Sequence, residues 1–141
     1  MNIEIKENVL TAQQFEYFYK SVNWQTPALQ QISVAIENSL VTFCAFDEIN
    51  PIAMARLLGD NAMSYYIKDF IVHPDYQNKG VGAKLIKHID SYIISQIPNG
   101  WSVCVELMSA KNKEDFYSKF GFEPRPSQWR GAGMFKFLRN E

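Results

Sequence analysis

The residues best suited to chemistry in this chain of 141 lie in the run Gln77-Asn78-Lys79-Gly80-Val81-Gly82-Ala83. Gly80 and Gly82 can take backbone angles closed to other residues and let a ligand come close to the main chain. Behind them Val81, Leu85, Ile86, Ile89 and Ile93 recur at helical spacing, which predicts a helix to about Gln96, stopped by Pro98-Asn99-Gly100. The amides from Asn78 to Ala83 then form the free N-terminal end of that helix, where unpaired N–H groups and the macrodipole together attract phosphate. Ahead of the loop, Ala62 to Val72 reads as a long buried strand, with turn chemistry at Pro74-Asp75. A strand feeding a phosphate-ready helix is a site for a phosphorylated cofactor. Lys79 and Lys84 either add charge beside the phosphates or are ordinary surface lysines. A nucleotide P-loop requires Gly-x-x-x-x-Gly-Lys-Ser/Thr, and a dinucleotide fingerprint requires Gly-x-Gly-x-x-Gly; the chain has neither.

The loop resembles the acetyl-CoA loop of the GNAT superfamily of N-acetyltransferases, whose pattern Gln/Arg-x-x-Gly-x-Gly/Ala stands here as Gln77-x-x-Gly80-x-Gly82, after Val72-x-Pro74. A second run, Phe116-Tyr117-Ser118-Lys119-Phe120-Gly121-Phe122, is similar to the family's "FYEKFGF" segment. The two stand in the family's order and at its separation, and the resemblance covers nearly the whole chain. It implies acetyl-CoA as cofactor and transfer of the acetyl group to a primary amine, by direct attack in a ternary complex. A small-molecule amine is the first expectation for the acceptor. A protein or peptide amine, or a non-catalytic acyl-CoA-binding regulator, are the alternatives.

Such a reaction sets three physical requirements. The pyrophosphate needs amide donors, which Asn78 to Ala83 would supply, with Gln77 and Lys79 beside them. The thioester oxygen gains negative charge and needs a donor aimed at it. The resemblance assigns this to main-chain groups at Phe70, Ile71 and Val72, with the pantetheine arm laid along the strand and the Val72 amide polarising the carbonyl. The departing thiolate should gain a proton while the amine loses one. By the resemblance Tyr117 is the acid, although a tyrosine there also fits a core position pinning a short helix. Asn112 either touches the cofactor or caps that helix. Phe116, Phe120 and Phe122 read as core.

The base is open. Deprotonating an alkylamine of pKa near 10 at pH 7 costs about 4 kcal/mol, and Glu106, Asp69, His73 or a water relay are the candidates. By the resemblance, many histone-modifying members keep a glutamate where this chain has Tyr66, a departure that weakens the case for a direct carboxylate there and for lysine-tail acetylation. For the acceptor, Trp24, Arg56, Asp60 and Trp129 offer aromatic and charged groups, and the two tryptophans could hold a cationic amine over their rings. Ordinary packing is the competing role for each.

These residues need a frame. Ile3 and Ile5 alternate with polar residues over Asn2 to Lys6, a short strand. Thr11-x-x-Gln14 has the form of a capping box ahead of Phe15, Phe18, Tyr19 and Val22, a helix broken at Asn23-Trp24. Thr26-Pro27 predicts a second helix start, with the stripe Leu29, Ile32, Ile36. Leu40–Phe46 and Ile52–Leu58 read as strands around Glu48-Ile49-Asn50-Pro51, and Gly59-Asp60-Asn61 as the next turn. After the central helix come a strand over Val103–Met108, a short helix over Asn112–Lys119 closed by Gly121, and strands from Phe122 and over Met134–Leu138. The expectation is one α/β domain over residues 1–141, in the order β-α-α-β-β-β-α-β-α-β-β. Its mostly antiparallel sheet carries one parallel β-α-β unit, right-handed in its crossover. The resemblance adds that the parallel pair splays apart around the pantetheine.

Composition narrows the function classes. An apolar fraction of 47% supports one core. A net charge of −1 with scattered basic residues argues against a nucleic-acid binder. Cys44 and Cys104 sit in apolar runs and read as buried reduced thiols, with no metal-ligand spacing. No apolar stretch approaches the roughly 20 residues of a membrane span. The expectation is a cytoplasmic protein without membrane or nucleic-acid partners; members of the family are often dimers, so a homodimer is the expected assembly if there is one.

Overall fold

Ile3 and Ile5 do alternate into a strand, β1 (Ile3–Glu7), and Thr11 does cap the helix that follows. In α1 (Ala12–Ser21) the Thr11 hydroxyl accepts from the Gln14 amide at 3.1 Å, and the Gln14 side chain accepts from the Thr11 amide at 3.0 Å. Two of the helix's orphan donors are satisfied in this way. Asn23, with φ of +61°, turns the chain out of the helix. The chain then forms α2 (Leu29–Glu37), β2 (Val41–Asp47), β3 (Asn50–Gly59), β4 (Ser64–Val72), a 3-10 turn (Pro74–Tyr76), α3 (Val81–Gln96), β5 (Cys104–Leu107) and α4 (Glu114–Ser118). This computed structural model describes residues 1–140. They fall into two compact units, Met1–Leu107 and a second from Met108 onward.

The first unit is a five-stranded sheet in the order β1-β2-β3-β4-β5, antiparallel except for the parallel pair β4–β5. One face carries α1 and α2 over a core of Leu10, Phe15, Phe18, Ile32, Cys44, Met54 and Ile71. The other carries α3, which buries Val81, Leu85, Ile86, Ile89 and Ile93. Phe43 marks that second face, its ring lying edge-on to His88 and Tyr92 of α3.

Two irregularities in β4 shape the site. Met54 pairs with Ile71 and Arg56 with Lys68, so Asp69 and Phe70 together oppose Ala55 alone. This is a β-bulge, and Asp69 takes the left-handed backbone, φ +56°, that makes room for it. A bulge shifts the side-chain alternation by one residue. Ile67, paired with Leu57, faces α3, whereas Asp69 and Ile71 face α1 and α2. The second irregularity is a fork. Pairing with β5 ends at Ile67↔Leu107, while β4 runs on to Val72.

Several expectations need correction. The second helix starts at Leu29 with Ala28 as N-cap, because Pro27 holds Thr26 out of the helical region and the Thr26 hydroxyl donates to the Trp24 carbonyl. The short helix starts at Glu114 with Lys113 at its N-cap position; Asn112, at φ +69°, does not cap it. Cys44 is buried but Cys104 is exposed, since it sits on a strand that no further strand covers among the described residues. The strands expected from Phe122 and over Met134–Leu138 do not form. Pro124 and Pro126 remove two backbone donors from the first of these, and a strand persists only where a partner pairs with it. Phe135 and Phe137 of the second stack edge-on to each other and stay exposed. The closing turn at Gly121, φ +90°, is present.

Candidate functional site

Beyond β4 the chain is fastened in place by side chains. His73 Nδ1 accepts from the Asp75 amide at 3.1 Å and caps the 3-10 turn. Its ring stacks on Tyr17 of α1, with centroids 5.2 Å apart and planes 17° from parallel. Gln77 Nε2 donates to the Val72 carbonyl at 3.0 Å, tying the loop back to the strand it has just left. Asn78 and Gly80 then take left-handed backbone, φ +61° and +82°, and swing the chain into α3. Gly80 needs that conformation rather than the room, since a β-carbon built on it meets nothing within 4 Å. Gly82 lies within the first turn of α3 and so does not make the turn into it.

No side chain caps α3 at Gly80. Its first amides therefore lack a side-chain acceptor at the positive end of a 16-residue helix. Lys79 adds charge there, its Nζ lying over the Tyr76 ring at 5.6 Å. An uncapped end, an open approach at Gly80 and a neighbouring ammonium are what a diphosphate requires, so the residues present fit such a group. A groove of about 440 Å³ lined by Asp90, Ile93, Ile97 and Trp101 is a different feature. It lies at the far end of α3, a helix about 24 Å long at 1.5 Å per residue.

The fork supplies the second part of the site. Pairing with β5 stops at Ile67, and β4 continues beyond it to Val72. The His73 amide donates to the Ile52 carbonyl at 2.9 Å, toward β3. Backbone groups alternate along a strand, so the Val72 amide points to the open side. Glu106 stands beside the fork, exposed and in register with Tyr66. Tyr66 holds its phenol proton above the ordinary range, chiefly through burial and then through the charge of Glu106.

The remaining candidates separate. Asp69 has both carboxylate oxygens engaged: Tyr19 Oη donates to Oδ1, and Arg56 Nε donates to Oδ2 at 2.7 Å. Arg56 turns inward, its side chain 11% exposed, and donates through Nη1 to the Ala35 carbonyl and to Ser39 Oγ, both at 3.3 Å. Asp60 accepts from the amides of Ala62, Met63 and Ser64 and so builds the β3–β4 turn; those bonds hold its carboxyl below the usual range. Trp24 lies edge-on to Tyr19 at 5.3 Å, part of its ring exposed.

In the second unit, Tyr117 is 8% exposed, edge-on to Phe116 and Phe122, and burial pushes its phenol up to about 12. Trp129 of that unit is 85% exposed.

Sequence reading missed Tyr17, Tyr19 and Ser39 as parts of this arrangement. The available signal was Asp69 itself, a carboxylate at an apolar position of an otherwise alternating strand. Among the described residues no cluster of His, Cys, Asp and Glu could hold a metal ion, and no helix is long and apolar enough to cross a membrane.

Comparison with known proteins bears on what this geometry serves. Residues 38–124 match a family described as an acetyltransferase (GNAT) domain. An uncharacterised N-acetyltransferase, ycf52, of Gracilaria tenuistipitata var. liui is 31% identical over 115 residues. That alignment takes in 79% of this chain and 61% of the relative, so the chain spans about three fifths of the algal protein's length. A GNAT family acetyltransferase from Streptococcus pneumoniae TIGR4, SP0256, superposes with a TM-score of 0.77 at 26% identity, covering 99% of this chain and 100% of that one. A protein of unknown function from Staphylococcus aureus, SA2161, shares the fold with a TM-score of 0.84 at 23% identity, covering 97% and 100%.

Proposed function

The chain belongs to the GNAT acetyltransferase family, and from that premise we propose that it is an acetyl-CoA-dependent N-acetyltransferase acting on the primary amine of a small molecule. The observation that carries this reading is the uncapped N-terminus of α3 set beside a forked β4 edge. Bound acetyl-CoA supplies the acyl group already activated as a thioester. The amides of Asn78, Lys79, Gly80, Val81, Gly82 and Ala83 hold its diphosphate. The β4 main chain at Phe70, Ile71 and Val72, beyond the end of its pairing with β5, would receive the pantetheine, and the Val72 amide would stabilise the charge that develops on the carbonyl oxygen. Gln77 acts here through Val72, keeping the strand end and the loop in fixed relation.

Glu106 takes the proton of the acceptor ammonium, because Asp69 is engaged on both oxygens and His73 Nδ1 is engaged in its turn. Tyr117 would give its proton to the sulfur that leaves as the amine nitrogen takes the acyl carbon, and would recover one from the nitrogen so acylated. Burial holds its phenol up at about 12, so Tyr117 carries its proton at neutral pH. The "FYEKFGF"-like segment is what supports Tyr117 in this role. Trp24, half-exposed beside Tyr19, is the acceptor-side residue best supported by its surroundings.

The test is acetyl-CoA turnover over a panel of small amines and peptides, in wild type, Tyr117→Phe and Glu106→Gln. We expect each variant to lose on the order of 10²-fold in kcat with coenzyme affinity unchanged, the usual scale of one acid–base contribution. Undiminished kcat in either variant removes that residue from the mechanism. Preference for peptides moves the acceptor to a protein. Coenzyme binding without turnover on any amine makes the chain a regulator.

A further inference from the structure

We propose that Tyr19 and Arg56 clamp the Asp69 carboxylate to hold the β4 bulge in place, so that Asp69 is a positioning residue and not the proton acceptor. The clamp joins four elements: Tyr19 comes from α1, Arg56 from β3, Asp69 from β4, and Arg56 reaches on to Ala35 of α2 and to Ser39 just beyond it. All of it lies on one face of the sheet, with the Asp69 side chain 3% exposed and the Arg56 guanidinium over the Phe15 ring at 6.0 Å.

The geometry asks for such a device. Without the bulge, alternation would carry Asp69 to the α3 face along with Ile67, and a charged group would be buried without partners. The left-handed backbone at residue 69 is also unfavourable for most residues; after glycine, aspartate and asparagine tolerate it best. A buried ion pair adds little net stability but is costly to break from one side. Here the pair specifies where the register shifts, and with it the direction of the Val72 amide three residues on. A proton acceptor needs an accessible oxygen within hydrogen-bond reach of the amine. Asp69 has a guanidinium on one oxygen, a phenol on the other, and almost no solvent.

The use of the Val72 amide rests on the proposed acetyl transfer; the clamp itself does not. Its test therefore starts with the protein alone, by amide hydrogen exchange and 1H–15N shifts of residues 70–72 in wild type, Tyr19→Phe, Arg56→Gln, Asp69→Asn and Asp69→Ala. We expect exchange at these amides to rise about tenfold or more in Tyr19→Phe, Arg56→Gln and Asp69→Ala, and only a few-fold in Asp69→Asn. Asparagine keeps an acceptor for Arg56 and tolerates the same backbone. Unchanged exchange and shifts in both Tyr19→Phe and Arg56→Gln overturn the clamp, and these two variants leave residue 69 intact should Asp69→Ala fail to fold. In turnover assays, kcat should fall in Asp69→Ala with coenzyme affinity preserved, and Asp69→Asn should retain most of it. Equal loss of 10²-fold or more in Asn and Ala variants, with exchange at residues 70–72 normal in Asp69→Asn, identifies Asp69 as the base and overturns the assignment.

Discussion

Gly80 is set by its backbone conformation and not by crowding around it. Its φ of +82° would place an L side chain in the left-handed region, while the space around it is empty. Gly80→Ala should therefore cost about 1–2 kcal/mol in urea unfolding through conformation alone. If instead the loop relaxes to accept alanine, stability recovers and coenzyme affinity falls. A variant unchanged in both would mean that the turn does not depend on glycine. Asp69 is the opposite case, a residue whose contacts define it. Its left-handed backbone, its bulge and its two partners are one feature seen three ways.

At the scale of elements, the strand–loop–helix passage was legible because each part carries a local signal. Helical spacing behind Gly80, turn chemistry at Pro74-Asp75 and the Gln77-x-x-Gly80-x-Gly82 pattern all depend on neighbours in the chain. The capping box of α1 was legible for the same reason. Thr11→Ala should cost about 0.5–2 kcal/mol in chemical denaturation, with turnover untouched since α1 keeps its packing; a loss of coenzyme binding in that variant would contradict so local a role. What could not be read was whatever depends on a partner far away in sequence. Alternation alone cannot reveal a bulge, so the face to which Asp69 points stayed hidden. Arg56 looked like an acceptor-side cation because nothing in its own strand announces Asp69, Ala35 and Ser39. The strands expected after Phe122 show the converse. Met134 to Leu138 has the composition of a strand, but a strand exists only by pairing, and the prolines at 124 and 126 interrupt the segment beside it.

For the molecule as a whole, burial sets an alkaline limit. Burial lifts the Cys44 thiol from its ordinary 9.0 to about 12, and Tyr117 likewise from 10.0 to about 12. Both groups are protonated in the folded and unfolded chain at pH 7, so neither affects stability there. Between about 9 and 12 the unfolded chain releases protons that the folded chain retains, and stability falls as pH rises. At pH 10.5 the thiol alone should account for a loss of about 2 kcal/mol. Urea unfolding at pH 8 and 10.5 checks this, with Cys44→Ala reducing the difference. An equal difference in that variant would exclude the thiol as a source.

In the proposed reaction, loop amides gripping the coenzyme's diphosphate set the position of everything that follows. The direct measurement is a titration of the 15N-labelled protein with coenzyme A, followed residue by residue in the amide spectrum. The predicted result is saturable movement of the resonances of residues 78–83, together with those of residues 70–72 at the end of β4. Saturable binding that leaves residues 78–83 unmoved, or no binding at millimolar coenzyme, would contradict it.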